Sequence, residues 1–240
     1  LKEARVLEVG AVSATAGRSA AFLRERGARF VLAVDADDQA VETAKREFAS
    51  DPDLRFRAGS LDSLAESPFD LVLIADASTL LHKQSGFASL ERVLPPSGHA
   101  MLALRNPSGV SLHQLAREEL GGVVPTWGEM LAALKWRFTS VELMTQSAVV
   151  GYQLAPAQGE REPALEVDGT LQTSDECAYF LAICGERPSG LLGLQSLVVL
   201  PTAPLAVAAL GRSELAERLR VAEQELAEAR RKLAEAMPVK

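Results

Sequence analysis

Four acidic, hydroxyl or glycine positions at the ends of short apolar runs are where this sequence can do chemistry. Arg5-Val6-Leu7-Glu8-Val9 ends in Gly10, and Phe30-Val31-Leu32-Ala33-Val34 ends in Asp35. Leu54-Arg55-Phe56-Arg57 is followed by Gly59-Ser60, and Leu71-Val72-Leu73-Ile74-Ala75 ends in Asp76. Such runs suit buried parallel strands, whose carboxyl ends share one edge of a sheet. A loop at that edge that leads into a helix offers a ligand free N–H groups and the positive end of a helix dipole. An acid at the tip of the second strand is placed to accept hydrogen bonds from both hydroxyls of a ribose. Asp76, at the exit of the fourth run, lies on the same ligand side of the sheet, against the competing reading that it caps the following helix.

The elements that must position these residues follow in chain order. Between the first two strands, Ala20, Ala21, Phe22 and Leu23 belong to a helix that Gly27 can end in the left-handed conformation. A second helix starts at Asp37 or Asp38, carries Ala40, Val41, Ala44 and Phe48 on one face, and stops at Asp51-Pro52. Phe69 to Asp76 is the clearest strand, with Asp70 structural at its start. Leu80 to Val93 reads as a helix, Pro95 to Gly98 as a turn, and Ala100 to Leu104 as the fifth strand. A short helix is expected over Leu112 to Leu120, and Thr126-Trp127-Gly128-Glu129 is a capping box opening another through Lys135 and Trp136. Phe138 to Met144 and Ala178 to Cys184 complete the strands. The long connection Gln146 to Glu176 reads as an insertion with a strand of its own at Val149 to Leu154.

On Glu8, Gly10, Asp35 and the turn Leu94 to Gly98, the chain resembles a class I S-adenosylmethionine-dependent methyltransferase over roughly Leu1 to Gly185. The first motif of that family runs acid-x-Gly-x-Gly-x-Gly, and its second strand ends in an acid. The resemblance implies a Rossmann-like α/β fold: a seven-stranded, mostly parallel sheet with helices on both faces and one late antiparallel strand. It also implies that Glu8, Gly10, Gly17, Asp35 and Ser60 border an S-adenosylmethionine site and that Asp76 faces the substrate, as the candidate catalytic residue for proton chemistry. The motif is eroded. Without a gap, Val12 and Ala14 meet the later glycines, and a side chain held there in left-handed conformation costs roughly 1–2 kcal/mol. With about three extra residues in the loop, Gly17 is the last glycine, beside Arg18. Where the family places an acid on the adenine amino group, this chain has Ser60, a weaker acceptor. Asp62 substitutes only if the loop is displaced, and the alternative is that Ser60 to Ser67 is a polar connection.

The chain has 240 residues and a net charge of -7, enough length for a sizeable α/β domain and no basic footprint for a nucleic-acid backbone. Opening on Leu1 and not on methionine, the sequence is compatible with a piece of a longer protein as well as with a whole one, and with no signal peptide at its start a cytoplasmic setting is the expectation. Cys177 and Cys184 lie seven apart in a strand, on opposite faces, so no disulfide is expected between them. His82, His99 and His113 are isolated from one another, and no metal site is expected. Gly190 to Leu210 carries no charge and is about long enough to cross a bilayer. Pro201 and Pro204 interrupt it, and a buried strand through Leu197 to Leu200 with a Pro-punctuated connector explains it equally well; membrane insertion is the lesser reading.

From Ser213 onward, Leu215, Leu219, Ala222, Leu226, Ala229, Leu233 and Ala236 are spaced alternately by four and three, the pattern of a coiled-coil seam. An isolated helix of this length is marginal in water, so it needs a partner: another copy, another protein, or the domain's own surface. The expected organisation is a methyltransferase-like domain over 1–188, an apolar connector over 189–212 and a coiled-coil helix over 213–240. Two functions compete. One is a pseudoenzyme, a binding or scaffolding module that holds no cofactor and is linked to the coiled coil. The other is an active methyltransferase, on a small molecule or protein, that binds S-adenosylmethionine. A nicotinamide-dependent dehydrogenase is a third reading, weakened by the same missing glycines.

Overall fold

The computed structural model describes residues 1–65, 68–82, 84–107, 125–147 and 177–191, with Val221 and Leu226 from the tail. The chain divides into two units, Leu1–Ser111 with Leu120–Leu194, and Leu112–Glu119 with Gln195–Lys240. The first contains the sheet. Its strands are β1 (Arg5–Val9), β2 (Phe30–Asp35), β3 (Leu54–Ala58), β4 (Leu71–Ile74), β5 (His99–Arg105), β6 (Ser140–Gln146) and β7 (Tyr179–Gly185). They lie in the order β3-β2-β1-β4-β5-β7-β6. β7 runs antiparallel to both neighbours, and the other described pairings are parallel.

β1 sits between β2 and β4, with Val9 beside Val34 on one side and Ile74 on the other. The loops that follow these strands therefore emerge together. Alternation along each strand sends successive side chains to opposite faces. Val6, Val31 and Ala33 pack with Val12, Ala20, Leu23, Val41 and Ala44, from α1 (Val12–Thr15), α2 (Arg18–Glu25) and α3 (Asp38–Glu47). Leu7, Val34, Val72 and Leu102 pack on the other face with Leu80, Leu90, Met130 and Leu134. Those come from α4 (Ser78–His82), α5 (Gln84–Val93) and α6 (Trp127–Arg137). Burial of each such aliphatic side chain contributes roughly 1.5–3 kcal/mol.

The sheet and its helices match the sequence expectations, with local differences. The single helix expected over Leu80 to Val93 is two, α4 and α5. They pack closely because Gly86 lacks a side chain; a Cβ there would lie 2.9 Å from the Leu80 backbone. β4 is shorter than expected, and the Asp70 carboxylate before it accepts a 2.8 Å bond from the Arg5 backbone N–H. The capping box is formed: the Thr126 N–H donates to Glu129 Oε2 at 2.7 Å and the Glu129 N–H to Thr126 Oγ1 at 3.3 Å. Cys177 and Cys184 are free and buried, and burial pushes the Cys184 thiol up to about 12, leaving it unreactive at neutral pH.

The helix expected over Leu112 to Leu120 and the strands at Val149 to Leu154 and Leu197 to Leu200 lie outside the described residues. So does the coiled-coil seam except for Leu226, which is helical and 52% exposed. Among the described residues no helix is long and apolar enough to cross a membrane, and no group of three or more side chains is arranged to hold a metal ion.

Candidate functional site

The loop between β1 and α2 has a shape the sequence did not predict. Val12 and Ala14 are not held in left-handed conformation. The extra residues wind into the helical turn α1, and Val12 is fully buried in the core. Positive φ falls instead on Gly10 (78°), Ala16 (52°) and Gly17 (79°). The two glycines do different work. A Cβ on Gly10 would meet no atom within 4 Å, so the backbone there faces open space. A Cβ on Gly17 would lie 2.8 Å from the Phe56 ring and 2.9 Å from the Ala44 Cβ. Gly17 thus serves close packing of helix on sheet, one of the duties of a last glycine in such loops, and faces the core.

Asp35 is 7% exposed, and its acceptor sites are largely taken. Oδ2 accepts the Ser13 N–H at 2.9 Å and the Ser13 hydroxyl at 3.0 Å; Oδ1 accepts the Asp37 N–H at 3.1 Å. Ser13 lies in the first turn of α1, whose N-cap residue Ala11 supplies no side-chain acceptor. The carboxylate of β2 therefore caps the turn from across the loop. Burial pushes the Asp35 pKa up, but the bonds from Ser13, Asp37 and Val12 outweigh it, and the net direction is down. The ribose acid expected from the sequence is thus charged and bound by the chain's own donors. Ser13 was not singled out in the sequence; the available signal was a hydroxyl residue in a loop facing an acid.

Glu8 is 5% exposed, and its Oε2 has no hydrogen-bond partner. Burial raises its pKa; a bond from the Ser19 hydroxyl lowers it by less, and the nearby Asp35 charge raises it further. Ser19 is 2.9 Å from Thr15 Oγ1, which lies 2.7 Å from the Ala11 carbonyl oxygen. Two hydroxyl protons cannot serve all three contacts while Glu8 is ionised. A protonated Glu8 can donate to Ser19, Ser19 to Thr15, and Thr15 to Ala11, which satisfies the string. The folded pKa lies above the unfolded value, so the folded state binds the extra proton and stability falls as pH rises from about 4.5 through the folded pKa. Glu8→Gln is expected to remove that slope and raise stability at pH 7 by about 1–2 kcal/mol. Denaturant titrations between pH 4 and 8 check this; parallel curves for the two proteins would contradict it.

The remaining candidates also meet groups of the chain. The Asp76 carboxylate accepts the Ser78 N–H at 2.9 Å, at the start of α4. Ser60 precedes the 3-10 turn Leu61–Ser63 without a side-chain capping bond, and its carbonyl oxygen accepts the Ser63 hydroxyl at 2.7 Å. Asp62 accepts a 2.7 Å bond from the buried Ser89 of α5. The strand ends bring Glu8, Gly10, Asp35 and Asp76 to one edge of the sheet. Gly17 is nearby but turned inward.

Three features of this arrangement bear on the S-adenosylmethionine that the resemblance implies. Gly10 leaves room for close approach, but three donors hold Asp35 and no acid stands at Ser60.

Residues 6–98 match the family model described as methyltransferase domain. No curated protein matches the chain by sequence. Among solved structures the chain is similar to one from the complex between the Haloferax volcanii Trm112 methyltransferase activator and a methyltransferase. That likeness has 16% identity, covers 77% of this chain and 82% of that one, and has a TM-score of 0.53. It is also similar to the citrinin polyketide synthase CMeT domain, at 14% identity over 76% of this chain and 46% of that one, with a TM-score of 0.50. The fold is that of class I S-adenosylmethionine-dependent methyltransferases.

Proposed function

We propose that this methyltransferase-like domain is a non-catalytic binding or scaffolding module whose cofactor site is closed by its own loop. One observation carries the reading: Asp35, the residue that would receive a ribose, is bound by Ser13 and Asp37. A ligand hydroxyl must displace bonds to a charged acceptor, each worth about 1.5–3 kcal/mol, before it gains its own. Thermal denaturation with millimolar S-adenosylmethionine or S-adenosylhomocysteine tests this, because a ligand that binds only the folded state raises the melting temperature. No shift is expected.

The active-methyltransferase reading keeps one observation of its own. The open space over Gly10 would suit a ligand in the loop. A melting shift that grows with ligand concentration would favour it.

The coiled-coil helix is the proposed attachment to a partner, another copy of this chain or another protein. The solved complex with the Trm112 activator is an instance of this fold presenting a surface to a protein. Leu226 is exposed, as an unpartnered seam residue would be. Replacing Leu219 and Leu226 by aspartate puts charge into an apolar seam and is expected to dissociate the assembly. Light scattering that found the same monomer before and after would leave only packing within the chain.

A further inference from the structure

The opposite, amino-terminal edge of the sheet carries a cleft of about 380 Å³ lined by Arg5, Arg29, Phe30, Leu32, Asp53 and Arg55. Strand register builds it. Arg5 of β1 is paired with Phe30 of β2, and Leu32 of β2 with Arg55 of β3, so these four side chains share one face of the sheet. The Arg5 guanidinium stands 4.8 Å from the centre of the Phe30 ring and 5.5 Å from that of Phe69, and the Arg55 guanidinium 5.5 Å from that of Phe30.

Stacking holds a guanidinium by its flat face and leaves its in-plane N–H groups free to donate. The bonds that anchor these two side chains use Nε: Arg5 to the Pro68 carbonyl oxygen at 3.1 Å and Arg55 to that of Pro52 at 3.4 Å. Among the described residues that line the cleft the one acid, Asp53, lies 3.4 Å from Arg24, which also pairs with Asp51 at 2.9 Å. Among the described residues none of Arg5, Arg29 and Arg55 forms a salt bridge with a carboxylate. Three such cations gathered on a chain of net charge -7 repel one another, and an anion between them would relieve that repulsion.

We propose that this cleft is a second ligand site, separate from the loop at the other edge, and that it takes a phosphate group. A carboxylate brings one charge and two oxygens to three guanidiniums. A phosphate monoester brings nearly two charges and three terminal oxygens, and planar guanidinium forks pair with them in parallel. Free polyphosphate and a phosphate ester present the same group, and affinity separates them.

The test is calorimetric titration of the full chain with pyrophosphate, glycerol 3-phosphate and the monocarboxylate glycerate at one ionic strength, repeated with Arg29→Gln and Arg55→Gln. One or both phosphates are expected to bind, glycerate at least about tenfold more weakly, and each variant to lose about tenfold or more. Tighter binding of pyrophosphate assigns a free polyphosphate, and tighter binding of glycerol 3-phosphate an ester. Both side chains are exposed, so melting temperatures should be unchanged. If Arg55→Gln fails to fold, Arg55→Lys, which keeps the charge and loses the fork, is expected to weaken binding in its place. Equal binding of glycerate and phosphates, variants that bind like the wild type, or no binding at all would overturn the site.

Discussion

Gly17→Ala is expected to destabilise the domain by about 2–4 kcal/mol, with roughly 1–2 from a left-handed alanine and the rest from forced repacking. The new Cβ would meet the Phe56 ring at 2.8 Å and the Ala44 Cβ at 2.9 Å, with φ at 79°. Phe56 belongs to β3 and Ala44 to α3, so the strain reaches two elements. In a domain of this size the melting temperature should fall by roughly 5–15 °C. Gly10→Ala is the comparison, because it has a similar φ and no atom within 4 Å of the added carbon. It should cost only the backbone share of about 1–2 kcal/mol. Equal losses for the two variants would show that Gly17 is not a packing position.

Asp35→Ala is expected to cost about 2–4 kcal/mol in the absence of any ligand, because it strands the N–H groups of Ser13 and Asp37 and uncaps α1. Relief of the neighbouring Glu8, whose pKa the Asp35 charge helps to raise, offsets part of the loss. The two acids pull stability in opposite directions with pH. The folded pKa of Asp35 is depressed, so its contribution is present above an unfolded value of about 3.9 and is lost as pH falls through the folded pKa. Glu8 acts above about 4.5, where rising pH costs stability. Denaturation of Asp35→Ala should show its deficit at pH 7 and converge on the wild type in acid. A variant as stable as the wild type at pH 7 would mean that Asp35 is kept for a ligand and not for the fold.

The strands of the sheet were legible because buried parallel strands write themselves as β-branched runs, and Val6 to Val9 beside Leu71 to Ile74 is the adjacency such runs imply. The positions of Gly10, Asp35 and Asp76 at strand ends were legible for the same reason. The shape of the loop was not. A four-residue helix has little stability of its own, and α1 is capped by Asp35, 22 residues away from Ser13 in sequence. Helix propensity alone does not contain that contact. The arginine cleft was likewise hidden, since Arg5, Arg29 and Arg55 come together only through strand register. For Asp76 the sequence offered proton chemistry or a cap, and its carboxylate accepts the Ser78 N–H at the start of α4.

A closed cofactor site and a working one differ most in what the wild-type chain does with S-adenosylmethionine. Losing the acid on the adenine and meeting an occupied Asp35 should together lower affinity by roughly two to four powers of ten against an intact site. The most direct measurement is calorimetric titration of the wild type and Asp35→Ala with S-adenosylmethionine. A closed site predicts no heat of binding at micromolar concentrations from either protein. Micromolar binding by the wild type that disappears in Asp35→Ala would show that the loop opens to the ligand, and would make this chain a methyltransferase in more than fold.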